Sequence, residues 1–198
     1  CFGLTEPDAG SDASRLQTKA VADGQGWRIS GRKIWTTNAP IADYCIVFAK
    51  MDEGISAFMI PTDSDGFLIQ RIIKLFGHIG GDEAEIALSD VYVEPWQVVG
   101  EIGKGFNAAL YGVSLGRIYN SARSVGYGRW ALEAAVEFSK IRNAFGQPIS
   151  EYQGVTFPLA DSAMDLHAAH LMGINAAMLL DAGEAAVKEL SMTKAFSV

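Results

Sequence analysis

The sequence predicts an α+β, multidomain chain. An antiparallel β-barrel or sandwich domain occupies residues 1–100, and part of an up-and-down helical bundle follows over 101–198. Three observations carry this. Gly, Pro and Asp cut residues 1–100 into short apolar runs. No helical period separates those runs, so βαβ units are excluded and the strands pair antiparallel. After Gly105 the texture changes, and no proline occurs until the loop that ends the first long helix.

Each element has a local reason. Trp27-Arg-Ile-Ser-Gly-Arg-Lys-Ile-Trp35 alternates after the turn Asp23-Gly-Gln-Gly26, which reads as a hairpin. Tyr44-Cys-Ile-Val-Phe-Ala49 and Ile55-Ser-Ala-Phe-Met-Ile60 are short strand-type runs, the second closed by Pro61. Ile86-Ala-Leu-Ser-Asp-Val-Tyr-Val93 continues the pattern up to Pro95. From Phe106 to about Ile141 apolar residues recur at helical spacing, which at 1.5 Å per residue makes a helix of about 50 Å. Gly112, Gly116, Gly126 and Gly128 each weaken that helix by roughly 1 kcal/mol relative to Ala, so close packing is expected at them. Asn143-Ala-Phe-Gly-Gln-Pro148 ends it, a second helix runs from about Tyr152 to Asp181, and a third begins near Glu184. The chain starts at Cys1 without an initiator Met and stops at Val198 in a stretch that still reads helical. It is therefore expected to be a piece of a longer one.

Composition narrows the function classes. With 49% hydrophobic and 20% charged residues the chain has ample material for a core, which excludes a disordered or collagenous protein. Sixteen Lys+Arg against 23 Asp+Glu leave a net charge of −7, with no basic cluster to offset it, so a nucleic-acid platform is not expected. Cys1 and Cys45 are too few for a disulfide framework and show no metal spacing, and no metal site is expected. No apolar run approaches the roughly 20 residues of a membrane span.

Several motifs admit a plain and a functional reading. Gly100-Glu-Ile-Gly-Lys-Gly105 has neither dinucleotide nor P-loop spacing and reads as a flexible domain connector. Leu4-Thr-Glu-Pro-Asp-Ala-Gly-Ser-Asp12 is either a surface turn or a loop whose N–H groups and hydroxyls (Thr5, Ser11) meet an anionic ligand. Glu6, Asp8 and Asp12 oppose the second reading unless they point away. Ile34-Trp-Thr-Thr-Asn38 offers either a core indole or an aromatic wall with a hydroxyl donor beside a heterocycle. In Arg142-Asn-Ala-Phe-Gly-Gln-Pro148, Arg142 complements a helix C-terminus that Gly146 ends, or it grips a phosphate. Arg117, in mid-helix beside glycines, wants a partner. His78, His167 and His170 form no catalytic or metal constellation, and no Ser-His-Asp or Cys-His arrangement can be assembled.

Together, the segments Leu4–Asp12, Ile34–Asn38 and Arg142–Pro148, in this order and at these separations, resemble the acyl-CoA dehydrogenase family across essentially the whole chain. The resemblance implies the middle β-domain and the opening helices of the C-terminal bundle. It implies FAD along Phe2 to Ser11 and Trp35 to Thr37, with Leu4 and Thr5 at the flavin ring system and Ser11 shared between cofactor and acyl-CoA. Trp35 matches the indole flanking the isoalloxazine, with Thr36 beside it, and Thr37 the hydroxyl bonded to flavin N5. Arg142 and Phe145 match the pair gripping the FAD of a neighbouring subunit, so a homodimer or homotetramer is expected, and Tyr152 and Gln153 stand at a further flavin-adenine contact. Arg117 resembles the arginine near the acyl-CoA, and Ser114 falls where many members place an Asp toward the CoA arm.

The implied reaction is α,β-dehydrogenation of an acyl-CoA thioester. A Glu removes the α-proton while the β-hydride passes to N5. In a minority of the family that Glu immediately precedes the arginine matching Arg117; here the position is Gly116, so no catalytic base is expected within these residues. Electron-transfer flavoprotein is the expected electron acceptor, and a bacterial cytoplasm or a mitochondrial matrix the expected compartment. The alternatives are an acyl-CoA oxidase-like flavoenzyme and a catalytically silent module that keeps the fold for assembly or acyl-CoA binding.

Overall fold

A computed structural model describes all 198 residues, Cys1–Val198. Its internal contacts divide the chain into two compact units, Cys1–Tyr111 and Gly112–Val198.

The first unit is built on one sheet. Its strands are β1 (Phe2–Gly3), β2 (Lys19–Asp23), β3 (Gly26–Thr37), β4 (Tyr44–Met51), β5 (Gly54–Pro61), β6 (Phe67–Ile73), β7 (Glu83–Val93) and β8 (Val98–Val99). They lie in the order β6-β7-β3-β2-β4-β5-β8, with β1 also on β4. The expected hairpin is β2–β3, closed through Asp23 opposite Gly26. Two features depart from a closed antiparallel barrel. β6 and β8, at the two ends of the order, do not pair, so the sheet is open. β1 and the first residue of β2 both run parallel to β4. Ile29, Val47, Phe58, Ile60, Ile86, Val91 and Val93 form the fully buried centre of the core. A smaller cluster of Leu16, Phe48, Ala57 and Ala109 sits under the first turns of the long helix.

That helix, α1 (Gly105–Ile141), begins in the first unit and continues into the second. The Gly100–Gly105 stretch that leads into it is tied to β5 at two points. Gly103 N donates to Ser56 Oγ at 2.8 Å, and Lys104 bridges to Ile55. A Cβ on Gly105 would lie 2.5 Å from backbone atoms of Ser56 and Ala57, so the helix starts where it does because this residue has no side chain.

In the second unit, a short hairpin of β9 (Asn143–Ala144) and β10 (Gln147–Pro148) joins α1 to α2 (Gln153–Asp181), and α3 (Val187–Ser197) follows. α3 docks on α2 and α1 by polar contacts between small residues. Thr193 donates to Met172 O at 3.1 Å, and Ser197 to Ser121 Oγ at 2.8 Å. Of the α1 glycines expected to pack closely, Gly128 does, against Leu166, whereas Gly116 and Gly126 have nothing within 4 Å of where a Cβ would sit. Spacing alone could not separate a glycine under a neighbouring side chain from one in the open.

This contrast is measurable by urea denaturation. Gly105→Ala is expected to destabilise by about 1–3 kcal/mol because backbone must move, and Gly126→Ala to stabilise by about 0.5–1 kcal/mol through helix propensity. Equal effects of the two substitutions would contradict the tight start at β5.

Candidate functional site

Alternate residues of a strand direct their backbone groups to the same neighbour. On β4 the residues facing β1 and β2 are Ile46, Phe48 and Lys50. Ile46 N donates to Cys1 O at 2.9 Å and Lys50 N to Thr18 O at 2.8 Å. Between them the chain leaves β4 at Gly3 and returns at Lys19, so Phe48 O meets no strand. Lys33 fills the gap. Its fully buried ammonium donates to Phe48 O at 2.7 Å, to Glu6 Oε1 at 2.8 Å and to Leu4 O at 3.3 Å.

Glu6 is equally committed. Its carboxylate accepts from Gln17 N at 2.6 Å, Thr18 N at 3.0 Å and Thr18 Oγ1 at 2.6 Å as well as from Lys33. The acidic group that argued against a ligand-facing loop therefore points inward. Burial alone would raise the Glu6 carboxyl, but the hydrogen bonds from Lys33, Thr18 and Gln17 outweigh it and hold it below the ordinary carboxylate range. Burial lowers the Lys33 amine, opposed by Glu6. Neither residue stood out as functional in the sequence. The available signal was Lys33 itself, a charge at the same strand parity as the buried Ile29.

The second motif is set by a bulge. Lys33 pairs with Ile86 and Thr36 with Ala84, so Ile34 and Trp35 together oppose Glu85 alone. Trp35 carries the irregularity at φ +59°, a conformation that costs a non-glycine residue of order 1–3 kcal/mol. The bulge shifts the alternation by one. The parity that buries Ile29 and Lys33 would have buried Trp35, but the indole is 53% exposed and Thr36 is wholly buried instead. Thr37 is exposed, its hydroxyl donating to Glu83 Oε1 at 2.7 Å. Thr36 Oγ1 and Glu83 Oε2 are both buried with no hydrogen-bond partner.

The two motifs are tied together directly, since Ile34 N donates to Thr5 O at 2.9 Å. The first unit thus gathers Leu4, Thr5, Trp35 and Thr37 around one strand end. Phe2 lies a strand away, its ring edge-on to Phe48 with centroids 4.9 Å apart, and Ser11 is exposed on the loop beyond Glu6. Thr36 turns its hydroxyl inward, away from the exposed faces of its neighbours.

In the second unit, Ser114 and Arg117 are half-buried one turn apart on α1, and the Arg117 guanidinium makes no hydrogen bond or ion pair with the chain. Around Arg142 the chain forms a hairpin rather than a plain helix stop. Ile149 N donates to Arg142 O at 2.8 Å, and Phe145 and Gly146 form its turn at φ +50° and +85°. Gly146 therefore serves the hairpin, not the helix end. Tyr152 braces the turn, donating through its hydroxyl to Ala144 O at 2.9 Å and meeting Phe145 edge-on at 6.4 Å. Phe145 is nonetheless 98% exposed, and the Arg142 side chain is exposed and unpaired. Gln153 is exposed at the first turn of α2.

Two family models match the chain, the acyl-CoA dehydrogenase middle domain over residues 1–91 and the acyl-CoA dehydrogenase C-terminal domain over 103–198. The chain belongs to the acyl-CoA dehydrogenase family. It is 43% identical to a probable acyl-CoA dehydrogenase of Bacillus subtilis, YngJ, over 99% of its own length and 53% of the relative's. Among solved structures it matches butyryl-CoA dehydrogenase from Megasphaera elsdenii at 36% identity with a TM-score of 0.95, covering 99% of this chain and 53% of that one. It also matches a glutaryl-CoA dehydrogenase from Mycobacterium smegmatis in complex with FADH2, at 30% identity and a TM-score of 0.92, covering 98% of this chain and 50% of that one. The chain spans about half the length of these acyl-CoA dehydrogenase relatives.

The Glu6–Lys33 pair makes the site's framework pH-sensitive. A carboxyl held below its unfolded pKa adds stability above the ordinary value, and that stability is lost as the pH falls through the lowered one. Glu6→Gln leaves Lys33 buried without its counter-charge, so stability at neutral pH is expected to fall by about 3–5 kcal/mol. The acid-side decline of Tm should be shallower in the variant than in the parent. Parallel Tm–pH curves would remove the carboxylate from this role.

Proposed function

We propose that the whole protein is an FAD-dependent acyl-CoA dehydrogenase that introduces a double bond between the α and β carbons of an acyl-CoA thioester. The observation that carries this reading is the strand end in the first unit. There a bulge turns Trp35 outward, Thr37 stays exposed beside it, and Thr5 O is bonded to Ile34 N. An exposed indole and a hydroxyl on one rigid strand suit the face and edge of a flavin ring.

Bound FAD supplies a two-electron acceptor. In this reading Trp35 covers one side of the ring and excludes water there, and the Leu4–Thr5 segment lies along it. Thr37 addresses the ring edge, and Ser11 meets both cofactor and acyl-CoA. Arg117 supplies an unpaired positive charge for the acyl-CoA, with Ser114 one turn away toward the CoA arm. Arg142 and Phe145 project from the braced hairpin and suit contact with the FAD of a second subunit, which makes the assembly a homodimer or homotetramer, with Tyr152 and Gln153 beside them. Gly116 offers no carboxylate ahead of Arg117, so the base that takes the α-proton comes from another part of the whole protein. Electron-transfer flavoprotein is the proposed acceptor of the electrons.

The deciding experiment is the visible spectrum of the purified whole protein before and after anaerobic addition of a panel of acyl-CoAs beginning with butyryl-CoA. Flavin absorption that bleaches with one chain-length class is expected. A colourless protein that FAD cannot reconstitute would overturn the reading. Arg142→Ala should lower FAD retention on dilution while leaving thermal stability of the apoprotein near the parent's, because the side chain is exposed and makes no hydrogen bond or ion pair in its own chain.

A further inference from the structure

We infer that Glu83 is a positioning residue for the Thr37 hydroxyl, and that it fixes that hydroxyl as a hydrogen-bond acceptor toward the ring edge it faces. The inference rests on the reading above, in which Thr37 addresses the flavin nitrogen that gains a hydrogen on reduction.

The geometry leaves little freedom. Thr37 and Glu83 are directly paired across β3 and β7, so their side chains share one face of the ladder. Thr37 Oγ1 lies 2.7 Å from Glu83 Oε1. A carboxylate can only accept, so the one hydroxyl hydrogen is spent on Glu83, and what Thr37 presents elsewhere is lone pairs. The other carboxylate oxygen, Oε2, is buried and unpartnered, so no competing donor draws Glu83 away from Thr37. The backbone holds both ends in place, since Asn38 N, one residue beyond Thr37, donates to Asp82 O, one residue before Glu83, at 2.8 Å.

An acceptor at the ring edge suits the reduced nitrogen, which bears a hydrogen, and has nothing to accept from the oxidised one. Glu83 therefore biases the bound cofactor toward its reduced form through Thr37. This effect is separate from that of its negative charge, which disfavours reduction.

Two neutral variants separate the two effects. Glu83→Gln removes the charge but keeps a carbonyl that accepts from Thr37, and Glu83→Met removes both. In the FAD-loaded whole protein the midpoint potential of Glu83→Met is expected to lie below that of Glu83→Gln. The difference corresponds to a roughly three- to tenfold loss in preference for reduced over oxidised FAD, or about 15–30 mV for a two-electron couple. In a Thr37→Val background the two variants should have the same potential.

Equal potentials in the Thr37 background would overturn the inference, leaving Glu83 to act by charge alone. If Thr37→Val itself leaves the potential of the parent unchanged, Thr37 does not face the reacting nitrogen, and the reading beneath the inference fails with it. The parent protein gives a second readout that needs no Glu83 variant. FAD carrying nitrogen-15 at that position should show, when oxidised, a resonance that Thr37→Val does not move, and a hydrogen-bonded shift lost in Thr37→Val would overturn the inference.

Discussion

The first unit depends on a single buried ammonium. The sheet is assembled from pieces that do not meet. β1 and β2 both approach the same side of β4, and the fifteen residues between Gly3 and Lys19 leave it, exposing one backbone carbonyl in the interior. An unpaired buried carbonyl costs on the order of 1–3 kcal/mol, and a strand cannot be inserted to pair it without closing off the departing loop. Lys33 resolves this from across the sheet, reaching the orphan carbonyl with a long side chain. Once its charge is buried it requires an anion, and Glu6 supplies one from the departing loop itself. The same pair therefore seals the sheet and ties down the loop, which is why the Leu4–Thr5 segment lies where Ile34 can bond it.

Such a pair adds less net stability than its short distances suggest, because desolvating two charges offsets most of their attraction. What the pair supplies is position. Lys33 holds Leu4 O, Glu6 and Phe48 O together, and Glu6 takes three further donors from Gln17 and Thr18, so both ends of the loop before β2 are tied to the sheet although most of its length lacks regular structure.

Much of the fold was legible because it rests on local pattern. The β2–β3 hairpin, the proline-free run that becomes α1 and the extent of α2 all follow from turn residues and periodicity. What was not legible required knowledge of partners. The acidic residues of Leu4–Asp12 look equivalent as a string, but Glu6 alone turns inward, and only the gap beside β4 explains why. Likewise Gly146 looks like a helix terminator, whereas its neighbour Phe145 also adopts positive φ and converts the segment into a hairpin. At the candidate site, Trp35 and Thr37 could be picked out by residue type. The division of labour between Thr36 and Thr37 could not, since it depends on a bulge that leaves no mark in composition.

The bulge also constrains how the segment can change over time. Between Lys33 and Thr37 the strand carries one residue more than its partner, so side-chain facing before and after that point is decided by a count. A substitution at Ile34 or Trp35 alters what is displayed but leaves the count intact. Loss of one residue there would remove the bulge and restore simple alternation, yet leave Thr36 beside Ala84 on the buried face and Thr37 beside Glu83 on the exposed one. Straightening the strand with no residue lost is what would exchange the two threonines, so their facing is inherited as a pairing with β7, and the extra residue as room for the outward indole.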